Sequence, residues 1–391
     1  MEEEFDEKTA FETDKMTRNW YHACMNETRI EEVGLNPLLD SLKSLGGWPV
    51  LEQEKKDYAS FKWFEQVRLL NKEGQSIKTV MNHDIDVDNK NSSYMVLRLG
   101  QPILGLNRKH LLNGFNDTYV KNYYQYMVDA AVLLGGNRSR ALSDLKKSLL
   151  FEVELANLSA SKKERRSPNK FFIPVTLKEL DNDTFTLQGI SQPQSWLDYF
   201  RGLIQDSFRF TSGNLEYIDN RIDIEEDEVI IIRNPEYFIN VLKLINRTEP
   251  RIVANYMSWR VVKASMSYLS KDARDIKKKY PMINGEEEET ETRWKQCVKS
   301  AGFNQYMYDK GAAAASSMYV RRYFKKEHKA VVLQIIHYIR KSFKSIIDNA
   351  SWMDDSTKLK ARAKLNNMKQ IIGYVDEIIN YDLMNNLHKG V

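Results

Sequence analysis

Six histidines, two cysteines and a pair of closely spaced glutamates are the side chains from which catalysis or metal binding could be built. His22, His83, His110, His328, His337 and His388 include no pair at the H-E-x-x-H spacing, in which two imidazoles hold zinc and a glutamate takes a proton. His328 and His337 are nine positions apart and point to opposite sides of any helix they share, which favours packed or surface histidines over ligands. Glu152 and Glu154 in FEVELANLS diverge by about 200° on a helix and cannot face each other as acid and base, so a helix surface accounts for them. No nucleophile elbow G-x-S-x-G, P-loop or dinucleotide G-x-G-x-x-G occurs. Met257, Trp259 and Met266 fall at spacings that suit core packing rather than a ligand box. This chain therefore carries no metal-ligating or catalytic set of its own.

The Asn-x-Ser/Thr triplet occurs at Asn26, Asn91, Asn116, Asn137, Asn157, Asn182, Asn246 and Asn349. A chain rich in Asn and Ser makes any one of these by accident, but the set points to an exported glycoprotein. In that setting Cys24 and Cys297 are most simply read as one long-range disulfide. It closes a very large loop, which the chain-entropy model values at up to about 5 kcal/mol. Two reduced core cysteines in a cytosolic protein are the alternative.

With 391 residues, 42% hydrophobic and 29% charged, the chain is globular in composition and long enough for two or three structural units. The 58 basic and 54 acidic side chains are interleaved, so no basic surface for nucleic acid is implied. No run of about 18 apolar residues is present, and the start, MEEEFDEKTAFETDK, is acidic. The expectation is a chain with neither membrane span nor secretion signal as written.

The pattern is mainly α. Helices are expected over 8–25, 34–45, 61–71, 116–135, 139–161, 195–208, 236–244, 250–269, 272–280, 312–323 and 328–348. Gly46, Gly47 and Pro49 stop the second of these, and Trp48 enters the core. Residues 74–83 and 93–100 form a candidate hairpin joined by DIDVDNKN, and VIII within 228–233 a single buried strand or edge. Residues 161–169 read as a charged loop, a helix starts at Thr176 with a turn at 181–183, and the acidic run 286–289 opens a further helix as a solvated first turn. In 351–374, Asp354 caps a helix that Gly373 ends, with Ala361, Leu365, Met368 and Ile372 on its buried face and Trp352 and Met353 packing back on its first turns. No fixed-period repeat is visible.

YHACMN at 21–26, LKSLGGWPV at 42–50, NYMSWRVV at 255–262, RWKQCV at 293–298, MYVRRYF at 318–324 and SWMDDSTKLKARAKLNNMKQIIGY at 351–374 resemble, in order, blocks of the neprilysin and endothelin-converting enzyme family. The resemblance spans nearly the whole chain and implies a zinc endopeptidase whose mainly α ectodomain has two lobes around a cavity admitting short peptides. It implies that this chain supplies most of the smaller, cavity-closing lobe, with a minor β-hairpin or strand. It also implies that Cys24 and Cys297 match a pair the family joins. The family's zinc helix, its E-x-x-x-D ligand, the N-A-F-Y peptide strand and the carboxylate-binding arginines lie outside the matched region, as do the membrane anchor and early cysteine-rich segment. Val375 stands where the family usually has proline, and the chain stops soon after IIGYVDEII, where the catalytic part is expected to begin.

The expected organisation is an N-terminal helix packing on the catalytic lobe (1–33), a helical cavity-closing lobe (34–350) and a linking helix toward the missing lobe (351–391). Zinc is expected for the full-length enzyme and none for this chain. The expected partners are peptide substrates through the full-length enzyme and the catalytic lobe itself, with no nucleic acid and no membrane span. Localisation is expected at the extracellular face of the plasma membrane or in the secreted space. Two other readings compete: an inactive secreted peptide-binding or decoy protein, and a cytosolic helical scaffold with free thiols and bare sequons.

Overall fold

Several helices in this chain begin where a side-chain oxygen accepts a first-turn amide that lacks an intrahelical partner. Asn26, Asp117, Asn137, Asn234 and Asp354 all do this, and Thr176 with Glu179 forms a reciprocal capping box. Asn234 takes φ 61°, a left-handed conformation asparagine tolerates, and Pro235 then fixes the first helical φ.

The computed structural model describes residues 10–52, 58–74, 77–88, 90–91, 93–166, 172–182, 193, 195–212, 224–280, 292–303 and 308–387. In chain order the first elements are α1 (Glu12–Met25), α2 (Glu27–Val33), α3 (Asn36–Ser44), α4 (Trp63–Lys72), β1 (Asn82–Val87) and β2 (Met95–Gly100). Next come α5 (Arg108–Leu111), α6 (Thr118–Leu133), α7 (Arg138–Leu158), β3 (Ile173–Thr176), α8 (Leu177–Asp181), α9 (Trp196–Ser212) and β4 (Val229–Ile232). The last are α10 (Pro235–Arg247), α11 (Pro250–Ser265), α12 (Lys271–Lys279), α13 (Arg293–Phe303), α14 (Tyr308–Tyr323), α15 (Lys326–Asn349), α16 (Asp355–Asn367) and α17 (Tyr381–Leu387). The described residues are mainly helical with one small sheet, as the pattern of the chain implies.

These elements form two units: one of residues 26–292, the other of residues 1–25 with 293–389. The sequence divisions were drawn at 33/34 and 350/351. The structural division follows α1, which packs on α13 and α14 after a long excursion of the chain.

In the larger unit, α7 and α11 pack along each other in a core that includes Trp48, Trp63, Trp196 and Trp259. The sheet runs β1-β2-β4-β3, with β2 and β4 parallel and the outer pairs antiparallel. VIII is therefore an inner strand. The expected hairpin is shifted: DIDV is strand, not connection, because Asp84 and Asp86 line up along β1 opposite Arg98, whose buried guanidinium bonds Asp86 and the Val87 carbonyl. β3 was not expected, since it is short and holds a proline, which an edge strand tolerates. α2 was also unexpected.

The helix expected over 351–374 starts as read, with Asp354 Oδ1 accepting from Thr357 N at 2.7 Å. It ends early, at Asn367. Arg340 of α15 donates to the carbonyls of Leu365 (2.5 Å) and Met368 (3.1 Å), satisfying acceptors that another turn would have used. Of the four residues assigned to its buried face only Leu365 is buried, and Trp352 is 79% exposed rather than packed back. Gly373 does adopt φ +68°, but in a loop where a Cβ would lie 2.8 Å from the Phe324 ring. The acidic run 286–289 lies outside the described residues.

Candidate functional site

The blocks that carry the family resemblance do not converge on a reaction centre; each pair ties distant chain segments together. In the smaller unit, Cys24 and Cys297 are joined across 273 positions, with Arg293 Nη2 donating to Cys24 O at 2.6 Å and Trp20 Nε1 to Ser300 Oγ at 2.9 Å. Arg321 of MYVRRYF reaches α1 from the other side. Its Nη2 lies 2.7 and 2.6 Å from the two oxygens of the buried Asp14, and its guanidinium sits 3.9 Å from the Phe11 ring centroid. Phe324 of the same block packs edge-on against Tyr374, whose carbonyl accepts from Lys329.

In the larger unit, GGWPV meets NYMSWRVV. Gly46 and Gly47 take φ +92° and +97°, a left-handed turn that delivers Trp48 onto Trp259, stacked at 6.3 Å. Asn255 Oδ1 accepts the Val50 amide at 2.9 Å, and Arg251 Nη2 donates to Pro49 O at 2.6 Å. Asn255→Ala leaves a buried amide without its acceptor, and a loss of about 1–3 kcal/mol in urea unfolding is expected.

Glu152 corrects the sequence reading. Glu154 is on the surface, paired with Arg247, whereas Glu152 is fully buried and accepts the Gly105 amide at 2.5 Å. Around it stand Tyr123, Tyr256 and Arg260, with Trp259 Nε1 donating to Tyr123 Oη at 2.7 Å and Arg260 Nη1 to Tyr256 Oη at 3.0 Å. Burial, then the Glu152 charge, pushes the Tyr123 phenol well up. Burial opposes the Arg260 charge, yet Tyr256, Glu152 and Tyr123 hold its pKa above the usual value. The sequence signals were the lone Gly105 in QPILGLNRK and an arginine inside an apolar helix block. Without the fold, nothing linked them.

His83 and Lys78 form a second group that periodicity does not reveal. Lys78 Nζ and Asn71 Nδ2 both lie 3.1 Å from His83 Nε2, which holds that nitrogen as an acceptor. Burial, then the Lys78 charge, depresses the imidazole well below its usual pKa; burial brings Lys78 down to about 8 against the pull of Asp84. The unfolded chain thus takes up the His83 proton more readily than the folded one. The stability that His83 contributes is complete above about pH 6.5 and falls as pH drops below it. Urea midpoints should decline from pH 7 to pH 5, and decline less in His83→Gln, which keeps an acceptor without the titration.

The eight sequon asparagines are all exposed. Seven lie in the larger unit. Asn26 and Asn137 cap α2 and α7 through their oxygens; Asn91 sits between β1 and β2; Asn116 precedes α6; Asn157 and Asn246 lie on α7 and α10; Asn182 follows α8. Asn349 alone is in the smaller unit, at the end of α15.

Helix α15 leaves an apolar face to solvent. At about 100° per residue, Val331, Ile335, Tyr338, Ile339, Phe343 and Ile346 share one face. All are exposed, Ile335 by 52% and Ile346 by 64%. The opposite side packs through Ile347 and through polar ties: Arg340 holds the end of α16, Asp348 accepts from Arg362 at 2.6 Å, and Lys329 pairs with Asp376 at 2.7 Å. Water is a poor neighbour for such a face, so this apolar stripe is the surface most clearly built for a partner.

Among the described residues no three His, Cys, Asp or Glu side chains are grouped to hold a metal, and no helix is long and apolar enough to cross a membrane. The chain is 34% identical to Neprilysin-2 of Drosophila melanogaster over 365 residues, and 29% identical to endothelin-converting enzyme 1 of Rattus norvegicus over 375. These alignments take in 92% and 95% of the chain but 44% and 45% of the relatives, so the chain spans about half their length. In fold it is similar to the inhibitor-bound zinc metalloprotease Zmp1 of Mycobacterium tuberculosis and to PepO of Lactobacillus rhamnosis. Both have a TM-score of 0.67 at 16% identity, over 97% of this chain and 55% and 56% of theirs. The N-terminal family model of peptidase family M13 matches residues 1–375, and the chain belongs to that family.

Proposed function

We propose that this chain is the N-terminal, non-catalytic portion of a neprilysin-like zinc metalloendopeptidase that processes short peptides outside the cell. The observation that carries the reading is the apolar face of α15, left to solvent in a chain that spans about half the length of its relatives. On this reading the smaller unit is the seat of the catalytic half, and the larger unit is the wall that limits substrate size.

Zinc belongs to the full-length enzyme in this account. The donor set here does not suit it: among the described residues no three potential ligands are grouped, and His328 and His337 are both exposed nine residues apart on α15. No catalytic step is assigned to this chain. Its eight exposed sequons and its joined cysteines support the extracellular placement.

The test is the intact mass of the native protein together with peptide cleavage. A native polypeptide well above 45.8 kDa, cutting short peptides in a chelator-sensitive way that the 391-residue chain cannot match, is the expected result. A native product of this length that binds peptides without cutting them establishes the decoy reading instead.

A further inference from the structure

The helical phase of α15 places Asn349 on its apolar face. Asn349 follows Ile335 by 14 residues, and at about 100° per residue it falls about 40° from it, in line with Val331. Ile346 is one turn away. The amide is exposed and lies along the helix, its Nδ2 donating to Ser345 O at 2.9 Å. The other seven sequons belong to the larger unit.

An N-linked glycan is bulky and hydrated, and its attachment atom here is the side-chain nitrogen of a residue on the stripe. A partner that covers the stripe must strip water from Ile346, which a sugar chain rooted one turn away prevents. We infer that a glycan on Asn349 and a docked partner on α15 exclude one another, so that the assembled protein carries Asn349 bare while the larger unit carries glycans. This rests on the reading that the occupant of the stripe is the C-terminal half of the same M13 polypeptide, the relatives being about twice as long as this chain.

The experiment is site-by-site occupancy in the native-length protein secreted from a glycosylating host. Enzymatic deglycosylation in heavy-oxygen water marks each formerly occupied asparagine by mass. The expected pattern is conversion at larger-unit sequons and under about a tenth as much at Asn349. Conversion at Asn349 matching the others overturns the exclusion and leaves the extracellular reading standing. No conversion at any site overturns both, because nothing then distinguishes Asn349. A second arm moves a sequon into the stripe: Phe343→Asn completes one with Lys344 and Ser345. Adding Ser345→Ala removes the sequon but keeps the apolar loss. Secretion at least fivefold lower for the single variant than for the double supports the exclusion, and equal secretion overturns it.

Discussion

Replacing both Cys24 and Cys297 by serine, or reducing the bond, should loosen α1 on the smaller unit and lower that unit's stability by up to about 5 kcal/mol. The size follows from topology. Residues joined by the bond are 273 apart, and the whole larger unit intervenes, so the unfolded chain gains much freedom when the link is lost. The bond is not the whole hold on α1: Tyr21 buries against Cys297 and Ala301, Trp20 donates to Ser300, Arg293 donates to the Cys24 carbonyl, and Arg321 pairs with Asp14. That ion pair is charge-assisted and partly buried, but it cannot replace a covalent tie. Calorimetry with and without reductant measures the change, and exchange of the α1 amides locates it. Equal midpoints in both conditions would show that packing alone retains the helix.

The second large effect belongs to Glu152. Glu152→Ala should destabilise the larger unit by about 3–5 kcal/mol, because it removes the acceptor of a buried amide and leaves the Arg260 charge without its carboxylate neighbour. Glu152→Gln keeps an acceptor and loses the charge, so it should fall between. Gly105→Ala attacks the same network from its other side: a Cβ there would stand 2.0 Å from Tyr123 Oη and 2.9 Å from Glu152 Oε1. All three variants are compared by urea unfolding. A wild-type midpoint in Glu152→Ala contradicts the assignment.

Much of this was legible before any coordinates. Apolar periodicity located most helices, Asp354 the start of the one at 355–367, Gly46, Gly47 and Pro49 the turn that buries Trp48, and the six blocks the family. What was not legible depended on partners distant in sequence. Glu152 reads as surface because a helix pattern reports one face and not what crosses it, here the Gly105 amide. The last turn of 351–374 was lost to Arg340, some 25 residues upstream, whose guanidinium takes the carbonyls a longer helix needs. β1 looked like a loop because its carboxylates are paired only once Arg98 and Arg233 are beside them. The stripe on α15 was missed for a simpler reason. Periodicity shows that a helix has an apolar face, and normal folding makes that face the buried one.

In the native protein the apolar face of α15 is expected to be covered. Hydroxyl-radical footprinting of Ile335, Ile339, Phe343 and Ile346 tests it directly, with native-length protein compared against the 391-residue chain. Strong protection in the native protein and ready oxidation in the shorter chain is the expected result. Equal oxidation in both contradicts the claim that α15 is the seat of the catalytic half.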